Sequence, residues 1–183
     1  MAYTTPPTFT AGTVLTAANL NILGDDIVYL KGITDGVNFS GVQLRRTATQ
    51  SITTATWTAV TWQTETGGFD NGGWWSSGTN IVVPAGAIPS GFTTIACDVL
   101  ARTYFGTNGT GSRKIRILVD GSVTETGNLP AISGDQTDVW VPDAVVVAAG
   151  AIITVEVYQN SGSTLSIASS DTKVTVLRRA PVA

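Results

Sequence analysis

The feature that most constrains this chain is a change of hydrophobic period part-way along it. From about Gln43 onward, apolar residues alternate with polar ones in short runs, as side chains do along a half-buried β-strand. The clearest runs are Thr94–Arg102, Arg113–Asp120, Ala151–Tyr158 and Lys173–Arg178. Turn signals such as Asp120-Gly121 and Ala149-Gly150 separate them. The pattern predicts an all-β sandwich or barrel over residues 43–183.

Composition narrows the classes of site that this chain can hold. The 183 residues include 10 Lys and Arg against 13 Asp and Glu, which gives a net charge near −3. Nucleic acid is not an expected partner, because phosphate binding needs a dense field of basic side chains. The chain has no His and one Cys, which excludes Ser-His-Asp and Cys-His catalysis and the usual zinc sites. We therefore expect no catalytic residue, no cofactor and no resident metal.

The sequence shows no pattern typical of a membrane span, a secretory signal or an internal disulfide. No segment has the ~18 uninterrupted apolar residues of a membrane span, so membrane insertion is not expected. The first seven residues lack a basic region followed by an apolar stretch, and we expect no secretory signal there. Cys97 has no internal disulfide partner and lies in an apolar run, which predicts a small buried residue.

Residues 1–42 are predicted to form a separate attachment segment. The Pro6-Pro7 pair disfavours a helix and predicts an extended arm over residues 1–15. Residues 16–31 are the one good helix candidate. Glycines in residues 32–42 predict a linker to the β-rich domain.

The predicted helix has an apolar seam. Thr16 is a suitable N-cap and Gly32 a suitable C-terminal stop. The seam follows the spacing of a coiled coil and consists of Leu20, Leu23, Ile27 and Leu30. Two heptads are marginal in water, and Gly24 weakens them by roughly 1 kcal/mol. The seam therefore needs burial, either against further copies or another chain, or against its own domain.

The order of elements in the β-rich part resembles a known fold. Residues 56–65, Phe69-Asp70 and residues 81–86 resemble the first half of a C1q/TNF-like jelly roll. Residues 112–121 look like the basic strand and turn of that fold, and residues 145–150 and 153–162 look like its closing strands. The resemblance covers residues 43–179. It implies a jelly-roll β-sandwich that assembles into a compact homotrimer.

The leading segment carries a second resemblance. Residues 3–32, which begin Tyr3-Thr4-Thr5-Pro6-Pro7, are similar to the first residues of many tailed-bacteriophage virion proteins, commonly labelled minor tail proteins or head fibres. The resemblance implies a structural virion protein, made in the host bacterial cytoplasm and attached to other virion proteins through its N-terminal arm. A tail position would imply host adhesion, and a capsid position would imply decoration or a head fibre.

Two adjacent tryptophans are the strongest candidates for ligand contact. Trp74 and Trp75 lie in the Gly-rich stretch 71–78. Neighbours on a strand point to opposite faces, so at most one of them enters the core. The other covers a subunit boundary or stacks on a sugar ring. The alternative function is therefore a soluble carbohydrate-binding module that uses this Trp-rich loop, with a host-surface glycan as its partner.

Charged and apolar residues on the predicted strands complete the set of candidates. Possible Ca²⁺ ligands are Glu65 with Asp70, and Asp135 with Asp138 and Asp143, but neither group matches a calcium loop and no metal site is predicted. The basic residues 113–116 and 178–179 are expected on solvated strand faces with cross-strand partners, the alternative being contact with an anionic polymer or capsid. Four apolar residues fall on otherwise polar faces and would need covering if they cluster: Leu100, Leu118, Ile152 and Tyr158.

Overall fold

The computed structural model describes residues 40–169 and 171–182, without the side chains of residues 65–68. In chain order the strands are β1 (Gly41–Arg45), β2 (Gln50–Ile52), β3 (Thr58–Ala59), β4 (Thr64–Asn71), β5 (Asn80–Val82), β6 (Thr94–Phe105), β7 (Ser112–Val119), β8 (Ser122–Pro130), β9 (Thr137–Ala148), β10 (Ile152–Gln159), β11 (Leu165–Ile167) and β12 (Lys173–Val182). A short 3₁₀ helix, Ala85–Ala87, follows β5. Among the described residues, no helix is long and apolar enough to cross a membrane.

The strands form two antiparallel sheets. The large sheet has seven strands in the order β2-β11-β6-β12-β1-β4, with β9 paired to β6. The small sheet has five strands in the order β3-β10-β7-β8, with β5 paired to β10. Of the eleven connections between these consecutive strands, eight cross between the two sheets, and β1–β2, β7–β8 and β11–β12 stay within one sheet. The alternating runs predicted from the sequence correspond to β6, β7, β10 and β12.

The core lies between the two sheets and is filled by alternate residues of most strands, whereas β3 and β8 contribute no buried residue. In β10 the buried positions are Ile153, Val155, Val157 and Gln159, while the residues between them are only half-buried. The large sheet contributes matching side chains from β6 and β12, and Trp74 and Phe105 are among the largest that are completely buried. Cys97 is one of these core residues, as predicted, and it is a free thiol.

Turns connect the strands at positions that the sequence indicates. Asp120 and Gly121 join β7 to β8 as a two-residue turn in which both residues have positive φ, +50° and +78°. Such a turn matches the twist of an antiparallel hairpin. The Asp120 carboxylate also accepts a hydrogen bond from the Ile152 backbone N–H at 2.8 Å. This contact ties the hairpin to the start of β10.

The domain begins slightly before its predicted boundary at residue 43. By its internal contacts the chain divides into residues 1–39 and residues 40–183. Gly41 and Val42, which the sequence assigned to the linker, instead pair with Leu177 and Val176 of β12. A Cβ on Gly41 would overlap the Val176 carbonyl oxygen, so this glycine serves the close approach of two strands. The predicted arm, the helix over residues 16–31 and its seam lie outside the described residues.

Candidate functional site

The longest pairing in the molecule joins β6 to β9. Twelve residue pairs run without interruption from Thr94 opposite Ala148 to Phe105 opposite Thr137. On one face both strands point into the sandwich core. On the other face, side chains of β6 lie between those of β9 and β12, because Leu100 is opposite both Pro142 and Thr175. This outward face of the large sheet is the candidate site.

From Trp140 to Ala148 the outward side of β9 carries no charged residue, and Asp138 is the charged residue at its start. Its side chains are Trp140, Pro142, Ala144, Val146 and Ala148, all exposed. Trp140 is 59 % exposed and Val146 58 %, and Leu100 of β6 is 43 % exposed beside them. A single exposed apolar residue is ordinary, but a continuous row of them along one strand is typical of an interaction surface.

We call this surface the association face and define it by the outward residues of the three strands. They are Ala96, Asp98 and Leu100 of β6, Trp140, Pro142, Ala144 and Val146 of β9, and Thr175 and Leu177 of β12. A groove of about 560 Å³ runs over its middle. At ~3.3 Å per residue and ~4.8 Å between strands, the three strands cover an area on the order of 500 Å², polar residues such as Asp98 and Thr175 included, and an exposed patch of this order is often functional.

Two ion pairs lie on the outward face of the large sheet. Arg179 Nε lies 3.0 Å from an Asp98 carboxylate oxygen, both side chains are well exposed, and both residues line the groove. At the other end, Arg102 donates to both carboxylate oxygens of Asp138 at 3.0 and 3.1 Å through Nε and also donates to the Tyr104 hydroxyl. The hydrogen bond to Asp138 is the main reason that the pKa of Arg102 is raised. One ion pair therefore lies within the groove, and the other lies at the end of the apolar row of β9.

β9 lies at an edge of the large sheet. Within the described residues it pairs with β6 alone, and β8 of the small sheet pairs with β7 alone. The two edges pass close to each other, because a Cβ on Gly127 of β8 would lie 2.8 Å from the Trp140 carbonyl oxygen. Asp143 points inward from β9 between two buried valines, and inward charges on an edge strand discourage unspecific strand pairing. Association through the face of β9 is thus favoured over association through its edge.

Trp74 and Trp75 do not form the predicted ligand platform. Trp74 is completely buried, and its indole Nε1 donates to the Ser40 hydroxyl at 3.2 Å. Trp75 is half-buried and packs against the core. The Asp70 carboxylate accepts from both tryptophan backbone N–H groups, at 2.7 and 3.0 Å, and this clamp fixes the loop. One tryptophan enters the core as predicted, but Trp74 is wrong as a ligand contact because its ring reaches no solvent.

The basic segment 113–116 is only partly the solvated face that was predicted. Arg113 points into the core and is completely buried. Its guanidinium donates to the carbonyl oxygens of Asn108 at 2.7 Å, Thr110 at 3.0 Å and Ser112 at 3.1 Å, so it holds the β6–β7 loop. Burial lowers its pKa. Lys114 and Arg116 do lie on the outward face of the small sheet, with Glu156 as the cross-strand partner of Arg116 at 2.5 Å.

The acidic and outward apolar candidates are dispersed. Asp138 is engaged by Arg102 and Asp70 by the tryptophan loop, and no group of three or more metal-binding side chains occurs in the described part of the chain. The four outward apolar residues do not cluster either. Leu100 lies on the large sheet, whereas Leu118, Ile152 and Tyr158 lie on the small one. Sequence reasoning therefore missed Trp140 and Val146, which form the real patch.

Comparison with known proteins bears on the fold. No family model and no curated protein matches the sequence. Among solved structures, Eiger TNF from S. frugiperda superposes with a TM-score of 0.57 at 10 % identity, over 79 % of this chain and 95 % of that one. Murine APRIL at pH 8.0 superposes with a TM-score of 0.55 at 16 % identity, over 78 % and 100 %.

The fold is a C1q/TNF-like jelly roll. The likeness covers the sandwich from end to end, and it confirms the all-β jelly roll that the order of runs predicted. In this fold β1, β12, β6 and β9 are adjacent in one layer and carry the association face on their outer side. Identities of 10 % and 16 % show the architecture alone, so the use of that face follows from its own chemistry.

Proposed function

We propose that this chain is a structural, non-catalytic protein that assembles as a homotrimer through the association face and is displayed on the surface of a tailed-bacteriophage particle. The observation that carries the first part is the exposed, apolar row on the outward side of β9 from Trp140 to Ala148. The second part rests on the similarity of residues 3–32 to the leading segments of phage virion proteins.

Self-association is supported by the amount and arrangement of apolar surface. Trp140, Leu100 and Val146 lie in one face, and a groove crosses that face at Leu100. Burying such surface contributes ~25 cal/mol per Å². The ion pairs on the same face set the orientation of the partner more than the affinity. A trimer is the assembly implied by the C1q/TNF-like resemblance.

Display on a particle gives the two parts of the chain separate tasks. The leading segment attaches to another virion protein, and the jelly roll remains outside. Three leading segments on one trimer give avidity that a single segment lacks. Tail tip and capsid are both compatible with this arrangement, and the number of copies per particle separates them: a handful indicates the tail, and hundreds indicate the capsid.

A matched pair of substitutions tests the association face. Val146 on this face is 58 % exposed, and Val123 on the outward side of the small sheet is 48 % exposed. Val146→Glu places a carboxylate in the proposed interface and is expected to convert the trimer into single chains in sedimentation velocity. Val123→Glu makes the same change elsewhere and is expected to leave the trimer intact. Equal behaviour of the two variants contradicts the proposal.

Attachment is tested separately by removing residues 1–32. The shortened chain is expected to remain a folded trimer and to be absent from purified particles, whereas the full chain is recovered with them. A shortened chain that still joins particles contradicts the attachment role. The alternative of a carbohydrate-binding module at the Trp-rich loop loses support, because Trp74 is completely buried.

A further inference from the structure

The outward face of the small sheet holds an aromatic cluster that the proposed assembly does not use. Trp57, just before β3, contacts Tyr158 of β10 with ring centroids 5.2 Å apart and a 42° angle between the planes. Both rings are half-buried, so part of each reaches solvent. Because the two sheets face outward in opposite directions, this surface stays accessible when the association face is covered.

Two cations flank these rings. The Arg116 guanidinium carbon lies 4.0 Å from the Trp57 ring centroid, and Lys114 Nζ lies 5.3 Å from that of Tyr158. Arg116 is neutralised by Glu156 at 2.5 Å. Lys114 has no carboxylate within ion-pair distance among the described side chains. The cluster therefore carries one uncompensated positive charge in a chain whose net charge is near −3.

The arrangement differs from a purely structural cross-strand pair. At the end of the association face, Arg102 and Tyr104 are matched by Asp138, so the charges within that group are satisfied. In the aromatic cluster, only half of the positive charge is matched. A ligand with an apolar flat face and one acidic substituent would complete it, since the face packs on aromatic carbon and the acid meets an ammonium group.

We propose that Trp57, Tyr158 and Lys114 bind an acidic sugar residue of a glycan. The C–H-bearing face of the pyranose packs against the exposed parts of the two rings. The carboxylate or phosphate of the sugar lies at Lys114 Nζ, and Glu156, which holds Arg116, has carboxylate oxygens that accept from sugar hydroxyls. This assignment goes beyond the proposed function, and it needs neither the trimer nor the particle, because each subunit carries the whole cluster.

Titration calorimetry of the purified full chain tests the assignment with defined probes. These are trigalacturonic acid, glucose 6-phosphate and neutral maltotriose. The test variant is Lys114→Gln, which removes the charge and keeps most of the side-chain length. The matched control is Lys173→Gln, the same change at a half-buried lysine of β12 on the other sheet. Trp57→Ala tests the ring contribution, with circular dichroism as the check of folding.

We expect at least one acidic probe to bind, the neutral probe to bind more weakly, and Lys114→Gln to weaken the acidic probe by about tenfold or more. Lys173→Gln should bind as the unchanged chain does. The acidic probe that binds identifies the group recognised. Absence of binding by both acidic probes overturns the proposal, as does equal binding of maltotriose or equal loss in the two lysine variants. Binding by a chain that proves to be monomeric would leave the assignment standing while the proposed assembly falls.

Discussion

Replacing Trp140 by alanine is the substitution whose effect on assembly is largest. A tryptophan buries at most about 250 Å², and at 59 % exposure roughly 150 Å² of it remains for a partner to cover. Alanine removes on the order of 100 Å² of that surface, which corresponds to about 2.5 kcal/mol per subunit at ~25 cal/mol per Å². Folding of the single subunit changes little, because the lost surface faces solvent there.

Three subunits multiply this loss. A trimer loses about 7 kcal/mol, or about five powers of ten in its dissociation constant. That constant has the dimension of a squared concentration, so the midpoint concentration of dissociation rises by its square root, which is several hundredfold. Sedimentation equilibrium over a dilution series measures this midpoint, with Val123→Ala as the control on the other sheet. A Trp140→Ala midpoint that coincides with that of Val123→Ala would refute the role of the association face.

Three further predictions concern the stability of the described domain. Arg113→Ala leaves three loop carbonyl groups without a donor and should lower the free energy of unfolding by about 3–5 kcal/mol in urea titrations followed by tryptophan fluorescence; a loss below about 1 kcal/mol would speak against that role. Gly41→Ala should lower the free energy of unfolding by about 1–3 kcal/mol, because a Cβ at this position overlaps the β12 backbone. Gly86→Ala should be nearly neutral, because a Cβ there meets open space. Equal losses of stability in the two variants would exclude the steric explanation. Burial raises the pKa of Cys97 from 9.0 to about 11, so the thiol should resist alkylation at neutral pH until the chain unfolds. The contribution of Cys97 to the free energy of unfolding should be full below pH 9 and should decline as the pH rises toward 11. Rapid labelling of the folded chain would contradict the burial of this thiol.

Strand β9 shows where the sequence pattern stops being informative. The runs that became β6, β7, β10 and β12 alternate because one side faces the core and the other faces water. Residues 139–149 are apolar almost throughout, so they show no alternation of apolar and polar residues. The sequence therefore indicates a strand only at residues 145–150. The lack of alternation has a physical reason. Both sides of β9 are mostly apolar, since the inner side meets the core and the outer side carries the exposed row from Trp140 to Ala148.

The other differences also have local causes. The sequence does not predict β8, because all but one of its residues are exposed and the strand has no apolar face. Arg113 lies on the same side of β7 as the buried residues Ile115 and Ile117, and it therefore points inward. Its charge instead predicts an exposed position. Trp74 and Trp75 follow the rule that neighbours diverge, but only the fold shows which of them enters the core. Trp57 gave no signal of its own, since its partners come from strands far along the chain.

The central claim is that the jelly roll is completed by two further copies of itself. The most direct measurement is the mass of the unmodified full chain in sedimentation velocity at micromolar concentration. The account predicts a single species of about 57 kDa, three times the 19.0 kDa of one chain. A single species of 19.0 kDa at the highest attainable concentration would contradict it.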